Sequence, residues 1–112
     1  MGNPKLPLSL ESPAYCLFVE ELDRHLMVAR ESLDANSSKI DTEAARKLGA
    51  SFHTIRGSAG FFGLSDVADM SKVLEEAFFG VVEGKTVDLT ECSQLLDKLI
   101  AETTNLPRPT VA

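Results

Sequence analysis

Three features of this 112-residue sequence predict an all-α chain folded as an antiparallel, up-down four-helix bundle. Apolar residues recur at three- and four-residue steps through four separate segments, which is the period of a helix with one buried face. Short polar or glycine-bearing stretches, such as Asn36-Ser37-Ser38-Lys39, Gly63 and Gly84-Lys85-Thr86, divide those segments. No stretch alternates apolar and polar residues as a half-buried strand would. Links this short join antiparallel neighbours, and the length suits a single core, so residues 1–112 are expected to form one domain.

Each element has its own signals. Residues 1–11, with Pro4 and Pro7 and little pattern, are expected to be an extended lead-in. Ser12-Pro13 opens a first helix of about 13–35, because serine caps well and proline suits the first helical position. Tyr15, Phe18, Leu22, Leu26, Ala29 and Leu33 form its core stripe.

Asp41 or Thr42 caps a second helix of about 42–62. Glu43 complements the macrodipole there, and Gly63 is the expected left-handed terminator. Its stripe is Ala45, Leu48, Phe52, Ile55, Ala59 and Phe62. Ser65 is the expected cap of a third helix, about 66–83, with Asp66 in its first turn. Val67, Met70, Leu74, Ala77, Phe78 and Val81 turn inward, and Gly84 stops it. Thr90 is the expected cap of a fourth helix, about 91–105, carrying Cys92, Leu95, Leu96, Leu99 and Ile100. Residues 106–112 are a tail, since Pro107-Arg108-Pro109 cannot continue a helix.

Composition excludes several classes of function. The formal charge is −6, with 17 acidic against 11 basic residues, whereas a general nucleic-acid binder wants a basic stripe. No apolar run approaches the roughly 20 residues that span a bilayer. The amino terminus lacks the basic and apolar regions of a signal peptide, so a cytoplasmic location is expected. Cys16 and Cys92 show no zinc or redox spacing and read as reduced thiols. His25 and His53 invite a metal-bundle reading, but Leu22 and Ala50 stand where a di-iron bundle would place the glutamates of its Glu-x-x-His pairs. No metal is expected.

One helix face does not fit a purely structural account. His53 lies off the apolar stripe of the second helix, and its nearest neighbours in azimuth are Arg46, Gly49, Ala50, Arg56, Gly57 and Gly60. A glycine inside a helix is less favourable than alanine by up to about 1 kcal/mol. Two reasons justify three of them: close packing of a neighbouring helix, or access for a bulky partner to the histidine. The chemistry fits access. An unperturbed imidazole is largely neutral at pH 7 and offers a nucleophilic nitrogen. Arg56, three residues on, can offset the charge of a phosphoryl group placed there, and Arg46 could assist. The chain has no phosphate-binding loop or kinase signature, so the group would have to come from another protein.

The residues His53-Thr54-Ile55-Arg56-Gly57-Ser58-Ala59-Gly60-Phe61-Phe62-Gly63 resemble the His-x-x-Lys/Arg-Gly motif of histidine-containing phosphotransfer (HPt) domains. They look most like the first domain of CheA-type chemotaxis kinases. The likeness extends to Leu74-Glu75 on the third helix and covers about residues 17–106. It implies that His53 accepts a phosphoryl group from a histidine kinase or a phosphorylated receiver domain and passes it to a receiver aspartate. The partners would supply Mg²⁺ and ATP, and the chain would need no cofactor of its own. By the same resemblance Arg56 supports the phosphate, Gly57 gives access, and Glu75 orients the imidazole through its far nitrogen. The outer ring nitrogen, Nε2, is the one such domains usually phosphorylate. Arg56 replaces the commoner lysine, keeping the charge in planar form. Lys72 stands where some chemotaxis kinases have histidine and becomes a candidate for phosphate support.

Phe61 and Phe79 project away from the main core stripes. They are candidates, with Arg46, Gly49, Ala50 and Gly60, for docking a receiver domain; an extra core layer against the N-terminal segment is the alternative for the two phenylalanines. The expected protein is a monomeric phosphocarrier rather than a self-sufficient enzyme. The starting Met and single-domain length favour a free-standing shuttle over a detached kinase domain, for which the tail would begin a linker. A helical binding module that transfers nothing is the reading from a different class.

Overall fold

The computed structural model describes residues 12–36 and 38–107. The expected lead-in (1–11), Ser37 and the end of the tail (108–112) lie outside the described residues. Four helices run in the expected order: α1 (Pro13–Ala35), α2 (Thr42–Phe61), α3 (Ser65–Val82) and α4 (Leu89–Thr104). Each packs against its two neighbours in the cycle α1–α2–α3–α4, giving the antiparallel four-helix bundle. The α2–α3 pair is the most closely apposed.

Local chemistry sets most of the ends. The Ser12 hydroxyl accepts from the Tyr15 backbone N–H at 3.2 Å, and Pro13 occupies the first turn. Asp41 Oδ1 accepts from Ala44 N–H at 2.7 Å. Gly63 takes φ +76°, and Leu64 N–H reaches back to the Ala59 carbonyl at 2.9 Å while Gly63 N–H reaches Gly60, a Schellman termination. Gly84, at φ +91°, ends α3 in the same way, with Lys85 N–H on the Gly80 carbonyl at 2.9 Å.

Two caps differ from expectation. Ser65 does not cap α3: Leu64 is the N-cap, without a side-chain hydrogen bond, and Ser65 is already helical. The Schellman turn commits Leu64 N–H to α2, so its other half opens α3 directly and the link is only three residues. Nor does Thr90 cap α4. Asp88 does so, its carboxylate accepting from Glu91 N–H at 3.1 Å, so α4 starts at Leu89. A carboxylate there satisfies an orphan donor and also opposes the positive end of the dipole.

The predicted stripes of α1 and α2 are all buried. In α3 and α4 the innermost positions Val67, Leu74, Phe78, Cys92, Leu96 and Leu99 are buried, while Met70, Ala77, Val81, Leu95 and Ile100 pack at the margin. Val19 and the loop residue Ile40 join the core as well. Phe52 of α2 stacks on Phe78 of α3 at a centroid distance of 6.0 Å, tying those helices at mid-height. At one end Phe62 packs edge-on to Tyr15 at 5.6 Å and against Phe18 at 5.0 Å, joining α2 to α1. The Tyr15 hydroxyl donates to the Pro107 carbonyl at 2.7 Å and holds the start of the tail across that end. Arg30 of α1 clips α4 through Asp97 at 2.6 Å.

The glycines of α2 divide into two kinds. A Cβ on Gly49 would lie 2.7 Å from Phe79 Cε1, so α3 comes close because this residue has no side chain. Among the described residues nothing lies within 4 Å of a Cβ placed on Gly57 or Gly60. We expect Gly49→Ala to destabilise the bundle by about 1–3 kcal/mol, as overpacking does. Gly60→Ala should stabilise it by up to about 1 kcal/mol through helix propensity. Urea denaturation of the two variants beside the parent chain checks both signs.

Candidate functional site

The α2–α3 seam places one carboxylate beside one imidazole. His53 stands mid-way along α2 with its side chain 62% exposed, and Glu75 of α3 is nearly buried beneath it, its side chain 12% exposed. His53 Nδ1 and Glu75 Oε2 are 2.8 Å apart. An ionised carboxylate only accepts, so this contact selects the imidazole tautomer with the proton on Nδ1. The outer nitrogen, Nε2, is then left with its lone pair.

Arg56, one turn along α2, reaches the same carboxylate: its Nε is 3.2 Å from Glu75 Oε1. That contact is an ion pair without the alignment of a hydrogen bond, since Oε1 has no hydrogen-bond partner among the described residues. The contact is made through Nε of the guanidinium. Two cationic or polar groups on α2 thus converge on one buried anion from α3. The sequence resemblance put Glu75 against the ring, and the geometry agrees. The attachment of Arg56 to Glu75 had no signal in the sequence, because it depends on how far α2 and α3 are rotated about their axes.

The remaining candidates separate by position. Gly57 and Gly60 are exposed on the His53 side of α2, and Ala50 is exposed one turn before the histidine. Lys72 is exposed on α3, one turn before Glu75. Arg46 turns to Glu43 on its own helix, at 2.9 Å. Gly49 does not belong to the open face: it is buried, and the half-buried Phe79 ring lies where its side chain would be. Close packing explains Gly49, while openness remains for Gly57 and Gly60. Phe61 is 65% exposed, its ring edge-on to Phe62.

A shallow groove between α1 and α2 runs beside Gly57, lined by Leu17, Phe18, Glu21, Ser58 and Phe61 among others. Leu17, 55% exposed, is a lining residue that the sequence reading missed. Its signal was an apolar residue off the core stripe of α1, the same kind of signal that marked Phe61.

Other chemistry is limited. Among the described residues no group of His, Cys, Asp and Glu could hold a metal ion. Burial, with Asp88 and Glu91 nearby, pushes the Cys92 thiol up to about 11, far from a reactive thiolate. No helix among the described residues is long and apolar enough to cross a membrane.

A bundle whose α2 exposes a histidine, backed by a carboxylate from α3 and flanked by open glycines, defines a class of site before any comparison is made. The Hpt domain family matches this chain over residues 14–108, and the chain belongs to that family. Its members serve histidine phosphotransfer in two-component signalling as phosphocarriers, working with kinases and receiver domains. No curated protein and no solved structure was found to match.

The Glu75 contact yields a direct expectation. Glu75→Gln keeps the shape but offers His53 either an acceptor oxygen or a donor nitrogen. Nitrogen-15 spectra of His53 should therefore change from one dominant tautomer, protonated at Nδ1, to a mixture. An unchanged tautomer would mean the carboxylate does not set it.

Proposed function

We propose that His53 is the phosphoacceptor of a cytoplasmic, monomeric phosphorelay carrier. It takes a phosphoryl group from a histidine kinase or a phosphorylated receiver domain and delivers it to a receiver aspartate. The observation that carries this reading is the 2.8 Å contact of His53 Nδ1 with Glu75 on a side chain otherwise open to solvent.

The transfer follows from that geometry. The Nε2 lone pair attacks phosphorus in the acyl phosphate of a donor receiver. The new N–P bond forms as the P–O bond to the aspartyl carboxylate breaks, and the carboxylate leaves with the electron pair. The Nδ1 proton stays on the ring, where Glu75 balances the positive charge that the ring acquires. Delivery is the reverse step with a receiver carboxylate as nucleophile. The partner brings the Mg²⁺ and, where it is a kinase, the ATP.

The Arg56 guanidinium, 37% exposed beside His53, is suited to the arriving phosphoryl oxygens, with Lys72 as a second cation on α3. Gly57, one turn from His53, would otherwise place a side chain beside the ring. The groove lined by Leu17 and Phe61 offers apolar contact next to that open backbone, suiting the docking of a receiver. Ala50 and Gly60 continue the same face. Phe79, engaged with Gly49, is a weaker docking candidate than Phe61.

The His53–Glu75 pair also supports the narrower alternative that this is a detached phosphoacceptor domain of a chemotaxis-type kinase, since that group pairs a glutamate with its histidine. Phosphorylation by a chemotaxis kinase's catalytic portion, and not by receivers of other pathways, would favour it.

Two variants test the reading. His53→Gln should keep the helicity and melting temperature of the parent and accept no label from a phosphorylated receiver or from a kinase with ATP. The label on the parent should be acid-labile and alkali-stable. Labelling of the variant at the parental rate would refute His53 as acceptor. Gly57→Leu has room at its Cβ and should fold, but should lose receiver binding and transfer by at least about tenfold through obstruction of the open face. Transfer at the parental rate by a folded Gly57→Leu would show that the face is not an approach path.

A further inference from the structure

Ser71 is fully buried on the inward face of α3, one turn before Glu75. Among the described residues only Ser71, Glu75 and Thr103 are buried polar or charged side chains. Thr103 places its hydroxyl on the Ile100 carbonyl at 2.9 Å. Ser71 Oγ has no hydrogen-bond partner among the described residues, and neither has Glu75 Oε1.

These two oxygens are chemically complementary. A serine hydroxyl donates and can rotate about its bond to Cβ, while a carboxylate accepts at each oxygen. Residues four apart on a helix have Cβ atoms about 5–6 Å apart, a span that a hydroxyl and a carboxylate close directly or through one shared water. A buried hydroxyl with no partner is destabilising, and an alanine would fill the same place between Val67 and Leu74 without that penalty. The hydroxyl therefore needs an acceptor; as placed it bonds no backbone carbonyl of its helix, and an open acceptor one turn on belongs to the carboxylate that holds His53.

We propose that Ser71 is a positioning residue whose hydroxyl serves Glu75 and, through it, fixes the His53 tautomer that leaves Nε2 free. Arg56 meets Glu75 Oε1 from α2 without hydrogen-bond alignment; the Ser71 hydroxyl, not hydrogen-bonded to it in this structure, would reach it from α3 by rotation about χ1 or through one shared water. The carboxylate is then held on both sides, with Oε2 presented to the imidazole. The inference rests on the reading of His53 as phosphoacceptor, but its test needs no phosphate.

The experiment is nitrogen-15 NMR of His53 in the parent, Ser71→Ala, Glu75→Gln and the double variant, with thermal melts of all four. The parent should favour the Nδ1–H tautomer. Ser71→Ala should still fold, melting slightly below the parent through loss of that hydrogen bond, and shift the tautomer ratio towards Nε2–H by about two- to tenfold, the range of one hydrogen bond. In the Glu75→Gln background the same substitution should leave the ratio unchanged. An unmoved ratio in Ser71→Ala, an equal shift in both backgrounds, or failure of Ser71→Ala to fold would each overturn the proposal. Failure of the parent to accept phosphate, with the tautomer results as expected, would count against the acceptor reading alone.

Discussion

The close approach of α2 to α3 is the constraint on which the site depends. Glu75 and His53 belong to different helices, and their 2.8 Å contact exists only because the two backbones come near enough. Gly49 under Phe79 permits that approach at one level, and the Phe52–Phe78 stack fixes it in the core. A larger residue at position 49 would push α3 outward and with it the carboxylate. The site is therefore built into the packing of the bundle, and the chemistry of His53 inherits the rigidity of the core beneath it.

The same helix shows how one residue type can answer two demands. Gly49 is buried and allows contact between helices, whereas a Cβ on Gly57 or Gly60 would meet nothing within 4 Å among the described residues. In an isolated protein the latter two are a standing loss of helix stability. Under the proposed reading they leave room for a partner to come close, beside a groove in which Leu17 and Phe61 are exposed.

Much of the fold was legible because it rests on periodicity, which is local. The α1 and α2 stripes, the Ser12 and Asp41 caps and the turn glycines Gly63 and Gly84 are where sequence reasoning put them. The starts of α3 and α4 were misread because caps compete: Asp88 stood two residues ahead of Thr90, and the Schellman turn left Ser65 nothing to cap. At the site, His53, Glu75 and the openness around Gly57 could be read from the motif and its resemblance. The burial of Gly49, the groove against α1 and the ion pair of Arg56 with Glu75 could not, since each depends on the rotation and separation of helices rather than on spacing within one.

A carrier differs from a sink in needing a bond that forms and breaks with comparable ease, and the arrangement around His53 bears on that balance. A carboxylate behind the ring increases the electron density at Nε2, which favours attack on phosphorus. Under the proposed reading the same carboxylate would stabilise the Nδ1–H of the phosphorylated ring. Arg56 shares the charge of the same carboxylate through its Nε contact at 3.2 Å. Its terminal nitrogens can follow the phosphoryl oxygens when they arrive, loosening the pair with Glu75 at that moment. Under the proposed reading, the two contacts on one carboxylate oppose each other. Reversibility under that reading follows from their competition.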